Sequence, residues 1–395
     1  EEENPQAKLM ANAKNDKLFL EGQGLDQLAR EIRYVIGGGD DVAKSFRVVV
    51  LPKDYERDPW GQLDESEHPD RWDERIPLLV MPAPPENVDT DLGFWLKTHV
   101  QRRRNTVRFL LPQEDSLNVF HDRDLVVLAR AVHLANTWKK QSTEYRELHQ
   151  KYTGELRDAL KTRFNRFAVI DIWNFQDTTK CKFQCLAHRV QGAAIPETID
   201  NHIRENLFVP EDFGELVLAA ADDNKTVGDL LKELREPRTN GERCIPWLGE
   251  THAKEKLTRL CAKGKIALDL RGQTYLQLSN DETEEAAWLR MRGQLGTGKH
   301  LDETHIVLRQ AVPQVAGMPT TTVTGGSGSG EGGSTGGETT AGNGSAGTSG
   351  DGSTTGGSGR FVRRSTSPSS GLMLLAKTQD EWGVTRSTQL KGLEL

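Results

Sequence analysis

Apolar positions follow two rhythms along the first 310 residues. Leu25, Leu28, Ile32 and Ile36 share one face of a helix predicted over 18–36, which Gly37, Gly38 and Gly39 stop. FRVVVL (Phe46–Leu51) is a continuous β-branched run closed by Pro52, and it reads as a buried strand. Residues 53–75 are polar and punctuated by Trp and Pro, which predicts a surface loop. IPLLVM (Ile76–Met81) is a second buried strand, Asp89–Gln101 a helix capped by Asp89 or Thr90, and Thr106–Leu111 a third strand, stopped by Pro112. Strands alternating with helices predict a parallel α/β sheet.

Two long amphipathic segments follow. Asp122–Gln141 carries Leu125, Leu128, Val132 and Trp138; Thr143–Arg166 carries Tyr145, Leu148, Tyr152, Leu156, Leu160 and Phe164. The second spacing is nearly a seam and predicts a helical hairpin, its aromatic stripe serving as core rather than as a cofactor box. Strands are then expected over 167–173 and 182–190, and a helix over 196–206. Thr226 caps a helix to Leu234, Glu250–Lys263 is another helix, and strands 266–270 and 274–278 meet at Arg271-Gly272-Gln273, a hairpin signal. Helix, helix, two-stranded ribbon is the sequence shape of a winged helix. Residues 283–310 read as helical.

The fold class expected is therefore an α/β N-terminal layer (a partial P-loop-type core), then a helical hairpin and a winged-helix-like α+β module, a disordered Gly/Ser/Thr linker and a short C-terminal piece. The expected divisions are 1–112 for the α/β subdomain, 113–166 for the hairpin, 167–225 for a mixed connector, 226–282 for the winged-helix-like module, 283–318 for a helical segment, 319–360 for the linker and 361–395 for the start of a further domain.

Composition changes the picture at one place. Residues 325–359 hold 16 of the 38 glycines, with no aromatic residue and no aliphatic one larger than Ala. Such a segment buries too little apolar surface to offset chain entropy, so disorder is expected. A net charge of −7 argues against a protein that coats nucleic acid, but not against a local basic patch. Four cysteines in 395 residues make no disulfide framework, which points to reduced thiols in a cytoplasmic protein. No run of about 18 apolar residues exists, so no membrane association is expected. The chain begins at EEENPQ without an initiator Met or signal peptide and stops at KGLEL, and it reads as a piece of something longer.

Candidate chemistry is sparse. GQLGTGKH (Gly293–His300) has the spacing of a phosphate loop, but His300 stands where a Ser or Thr hydroxyl should ligate magnesium, and a helix rather than a strand precedes it. It is read as a glycine-rich helix stop. Cys181 and Cys185 share a strand face without a matching second pair, so no metal site is expected. Neither H-E-x-x-H nor G-x-S-x-G occurs. Two basic groups remain. Lys254, Lys256, Arg259, Lys263 and Lys265 lie on or just after one predicted helix, where they could track phosphates or enter a major groove; Glu250 and Glu255 dilute the field, and a solvated helix face is the other reading. Arg102, Arg103 and Arg104 precede the third strand, where a guanidinium could stabilise a transferring phosphoryl group, or could simply complement a helix C-terminus.

FRVVVLPKDY, IPLLVMP, RNTVRFLLPQEDSL and a long helix ending near HLANTWKK, taken in order, resemble the later part of a family of large prokaryotic AAA-type ATPases catalogued as domain of unknown function 499. Some of its members resemble the ATPases of phage-growth-limitation and related defence systems. The similarity continues through RLCAKGKIALDLRGQTYLQL and resumes at SGLMLLAKTQDEWGV. The resemblance implies a parent protein that binds ATP and magnesium through a phosphate loop and an acidic strand, both upstream of Glu1. No catalytic residue transfers to this chain, no cofactor is expected within it, and hydrolysis by the chain alone is expected to be absent. Arg104-Asn105-Thr106 is the matched stretch nearest a nucleotide. DNA, defence-system proteins and a second copy of the chain are the partners this implies. A reading from a different class is a winged-helix DNA-binding regulator without ATPase activity.

Overall fold

The computed structural model describes residues 4–15, 21–238, 241–277 and 281–312, together with the strands 374–379 and 385–390. Two compact units result, 1–319 and 320–395. The second contains one antiparallel pair, Leu374–Gln379 with Thr385–Leu390. The predicted linker, the RFVRRS stretch and Leu278 lie outside the described residues.

A five-stranded sheet organises the first unit. Its strands are β1 (Phe46–Val50), β2 (Ile76–Val80), β3 (Arg108–Pro112), β4 (Phe164–Ile172) and β5 (Lys182–Ala187), lying side by side in that order. β1, β2 and β3 are parallel, as expected; β4 runs antiparallel to β3, and β5 to β4. The sheet is therefore mixed, with β3 at its centre. β4 starts at Phe164 because the helix before it, α6 (Thr143–Lys161), stops five residues earlier than its apolar spacing predicts. Phe164 continues the helical stripe in sequence but belongs to the strand.

Alternation along the strands supplies two cores. Val50, Leu78, Val80, Leu110, Phe167 and Val169 face one side. They are covered by α1 (Pro5–Lys14), α2 (Glu21–Gly37), α5 (Arg123–Trp138), α6 and α7 (Ile195–His202), while the short α3 (Asp40–Ser45) leads from α2 into β1. α5 and α6 form the expected hairpin, capped by Asp122 and Ser142. Val49, Leu51, Leu79, Phe109, Leu111 and Ile170 face the other side, under α4 (Val88–His99). Asn87 caps α4, because its side chain reaches the amide of Thr90, so neither Asp89 nor Thr90 is the cap.

Residues 51–75 do more than loop over the surface. Tyr55 and Trp72 are buried in this second core and Trp60 packs on it, so the segment fills the place of a crossover helix between β1 and β2. Indole donors fix it: Trp95 to the Tyr55 carbonyl at 2.8 Å and Trp60 to the His99 carbonyl at 3.0 Å. Its Trp and Pro residues therefore mark packing as well as turns.

A third core belongs to a helical module that also covers Phe46 and Ile76, the first residues of β1 and β2. It contains α8 (Pro210–Asp222), a helix within the stretch expected to be a mixed connector. Next come α9 (Val227–Leu234), α10 (Glu250–Ala262), β6 (Ile266–Leu270), β7 (Gln273–Tyr275), α11 (Glu284–Leu295), α12 (Lys299–Asp302) and β8 (His305–Leu308). Arg271 and Gly272 have φ of 53° and 86°, the left-handed pair that a tight β6–β7 hairpin requires. Residues 283–310 are not helical throughout: His305–Leu308 pairs with β6 and completes a three-stranded antiparallel sheet. The run His305-Ile306-Val307-Leu308 is too short for periodicity to separate strand from helix.

Candidate functional site

The Arg102–Arg108 tract crosses from the end of α4 to the start of β3, against the helical module. Arg102 is exposed. Arg103 sits in the left-handed region at φ 61°; its amide donates to Glu236 Oε1 at 2.6 Å and its guanidinium to the Trp72 carbonyl at 2.7 Å. Arg104 is buried, donates to the Val100 carbonyl at 2.6 Å and lies over the rings of Trp173 and Phe175. Burial pushes both guanidinium pKa values down from the ordinary arginine range. Asn105 is the joint's pin: its amide donates to the Arg235 carbonyl at 3.0 Å, and Nδ2 donates to Leu234 and Ile245 at 2.8 and 2.7 Å. Arg103 and Arg104 thus contribute to the seam between the sheet and the module.

Arg108 was not singled out by sequence, although a charge inside RFLLP is the signal. Its side chain is 2% exposed, bonded to Asp200 Oδ1 at 2.9 Å and to the Trp247 carbonyl at 3.1 Å. Asp200 holds Arg204 through its other oxygen at 3.0 Å. On the neighbouring strand β4, Asp171 pairs with Arg243 at 2.9 Å, and its carbonyl accepts from the Cys244 amide at 2.6 Å. Both therefore tie the segment between α9 and α10 to β4.

The basic residues predicted on one helix do lie on and after α10, but they do not form one free face. Lys254 is buried beneath ion pairs with Glu250 and Asp302, the latter at 2.8 Å, and donates to the Thr297 carbonyl at 2.9 Å. Burial lowers its pKa, but the bonds to Asp302 and Glu250 outweigh burial and leave it raised. Arg259 is held by Glu255, Glu284 and Glu285 and stacks over Trp288, its centre 4.2 Å from the ring centroid. Lys263 is exposed and meets Glu284 at 3.6 Å; Lys265 is exposed. Lys256 is half-buried and no carboxylate lies within ion-pair distance of it among the described residues. Burial pushes its pKa down; Glu255 opposes this, and Arg259, Arg204 and Lys263 add to it.

An open cleft of about 510 Å³ lies in the same module, lined by Glu74, Thr226, Leu231, Arg235, Glu250 and Asp302 among others. Arg235 spans it, bonding Glu74 at 2.5 Å and Glu250 at 2.7 Å. Burial first, then a hydrogen bond to Glu250, pushes the Glu74 pKa up, against the opposing charges of Arg235 and Arg103. The cleft is an ion-pair network around fixed guanidinium and ammonium groups. Among the described residues, no group of three or more His, Cys, Asp or Glu could hold a metal ion, and no helix is long and apolar enough to cross a membrane.

Gly293–His300 begins in the last turn of α11, which ends at Gly296 with φ 66°, and Lys299 and His300 open the four-residue α12. The stretch is thus preceded by a helix and contains the helix stop expected there. Cys181 and Cys185 pack on the same core, and all four cysteines are free thiols. No protein-family model matches the chain, and neither does any curated protein or solved structure.

Proposed function

We propose that this chain is a regulatory, partner-contacting region of a large ATP-dependent prokaryotic protein of anti-phage defence, and that it does not hydrolyse ATP by itself. The observation that supports this reading is the use made of Arg103, Arg104 and Asn105. Their polar groups bind Trp72, Val100, Leu234, Arg235, Glu236 and Ile245, so the α/β layer and the helical module are joined at the amino-terminal end of the parallel strands. A joint of this kind suits a body that passes a change of position on as a unit. Ligands of open α/β sheets, in contrast, gather at the carboxyl ends of the strands. ATP and magnesium belong, on this reading, to the parent protein.

The test compares Mg-dependent ATP turnover by the chain alone with turnover by the protein encoded by the whole reading frame. The expected result is turnover in the second and none in the first. Turnover by the chain alone that Lys299→Ala abolishes, or turnover by neither, overturns the proposal.

A winged-helix DNA-binding regulator is the second reading. It is favoured by the order α8, α9, α10 and the β6–β7 hairpin, with Thr226 bridged to His305 beside them. Against it stand the internal pairing of Lys254 and Arg259, which removes two of the five cations a groove-binding helix would use. Salt-dependent duplex binding lost in a Lys256/Lys263/Lys265 triple Ala variant would move weight to this reading.

A further inference from the structure

Positive charge is left uncompensated where the π-helical turn Ile203–Leu207, which continues α7, meets the first turns of α10. Asp200 is held by two guanidinium groups, Arg108 at 2.9 Å and Arg204 at 3.0 Å. The second terminal nitrogen of Arg108 is buried and finds no hydrogen-bond acceptor. Lys256 adds a third cation, and the one carboxylate beside it in sequence, Glu255, is paired with Arg259 at 3.4 Å. His252 lies one helical turn before Lys256, its ring set edge-on against Phe208 at 4.8 Å. Counting Arg108, Arg204 and Lys256 against Asp200 and Glu255 leaves one positive charge in a half-buried place.

We propose that Arg204, His252 and Lys256 form an anion site that takes a phosphate group. Arg108, fixed beneath by Asp200 and the Trp247 carbonyl, acts through Asp200 as the positioning residue that aims Arg204. Arg204 bonds Asp200 through one terminal nitrogen, and its side chain is 44% exposed, against 2% for Arg108. A guanidinium and an ammonium beside a neutral imidazole offer a fork, a point charge and a ring N–H, the donor set that a phosphoryl group uses. The charge of a phosphate monoester offsets the surplus. Farther along the same face of α10 the field fades, because Glu284 and Glu285 engage Arg259 and Lys263. The site is thus compact and suits one phosphate rather than a run of backbone phosphates.

The titration of His252 reports on occupancy. Burial first, then Arg204 and Lys256, push its pKa down to about 3, while Asp200 pulls it upward. A bound anion cancels the two repulsions and raises that pKa. The groups facing the ring are Asp200 from α7, Arg204 and Phe208 from the turn after it, and Lys256 from α10.

The experiment follows the His252 ring protons by NMR over a pH series in the whole chain, with inorganic phosphate as the probe and chloride at matched ionic strength as the reference. A saturable rise of the His252 pKa with phosphate is expected, with affinity weakened at least about tenfold in Arg204→Gln and in Lys256→Gln and unchanged in Lys180→Gln, whose exposed side chain pairs with Asp177. ATP and a short duplex DNA then identify the source of the phosphate. ATP competing with phosphate assigns a free or nucleotide phosphate; duplex DNA competing instead, with a steep salt dependence, assigns a nucleic-acid backbone. A His252 titration identical in phosphate and chloride up to about 20 mM, or equal responses in the wild type and Lys256→Gln, overturns the proposal. Should Arg204→Gln fail to fold, Lys256→Gln alone decides.

Discussion

Replacing Asn105 by Ala removes the pin between the sheet and the helical module. Asn105 is 7% exposed and its Nδ2 donates to two carbonyls from separate places, Leu234 at the end of α9 and Ile245 in the segment before α10. Oδ1 accepts nothing, so only the donors count. Each hydrogen bond is worth about 1 kcal/mol net, and a carbonyl left buried without a donor costs about 1–3 kcal/mol, so partial relaxation of the two carbonyls leaves an expected loss of about 2–4 kcal/mol. Urea unfolding of the whole chain measures this as a lower midpoint with an unchanged m-value. Asn105→Asp keeps the shape, loses the same donors and adds a buried charge, and it should cost more than Ala. A loss below about 0.5 kcal/mol for Asn105→Ala, the range of an ordinary surface substitution, would refute the reasoning.

Three further outcomes follow from the same contacts. Arg108→Met should destabilise by about 2–4 kcal/mol, short of the full cost of breaking a buried pair because Arg204 still holds Asp200; a neutral effect in urea unfolding would show that the pair adds nothing over an apolar side chain. For His252 the folded pKa of about 3 lies below the ordinary 6.5, so the unfolded chain takes up the proton first. Its contribution to stability is full above about 6.5 and is lost as pH falls towards 3; the stability difference between the wild type and His252→Leu should change across that window in the absence of phosphate, and a flat difference contradicts the assigned burial. Among the thiols, Cys185 is half-buried whereas Cys181, Cys244 and Cys261 are buried, with burial raising the last two to about 11 and about 12. Cys185 should react first with a neutral-pH thiol reagent and the others only as the chain opens; fast labelling of Cys244 would be inconsistent with the packing.

The parallel strands and the α5–α6 hairpin were legible because their signals are local: apolar runs closed by Pro, caps at Asp122 and Ser142, and a seam of aromatic and leucine positions. Three features were not. The cover made by residues 51–75 depends on where Tyr55 and Trp72 land against α4, and periodicity carries no trace of it. β8 is four residues long and is defined by its partner β6. The fate of the charges could not be read from spacing either. Lys254 and Lys256 are two residues apart on one helix, yet one is enclosed by Glu250 and Asp302 and the other has no carboxylate in ion-pair range among the described residues. The partners that decide this lie on α12 and the turn after α7. Arg204 and His252, proposed to form the anion site with Lys256, give no signal in the sequence because an isolated His or Arg has no pattern of its own.

Native-state hydrogen exchange decides whether the two halves of the first unit behave as one body. The amides of Asn105 and Cys244 bond across the seam, to Arg235 and Asp171, while the amides of β3 and β4 lie within the sheet. If the joint is rigid, seam and sheet amides exchange with the same opening free energy and respond equally to denaturant. Seam amides that exchange through a much smaller local opening, with the sheet still protected, would show that the module moves freely on the sheet and that the Arg103–Asn105 tract does not join them.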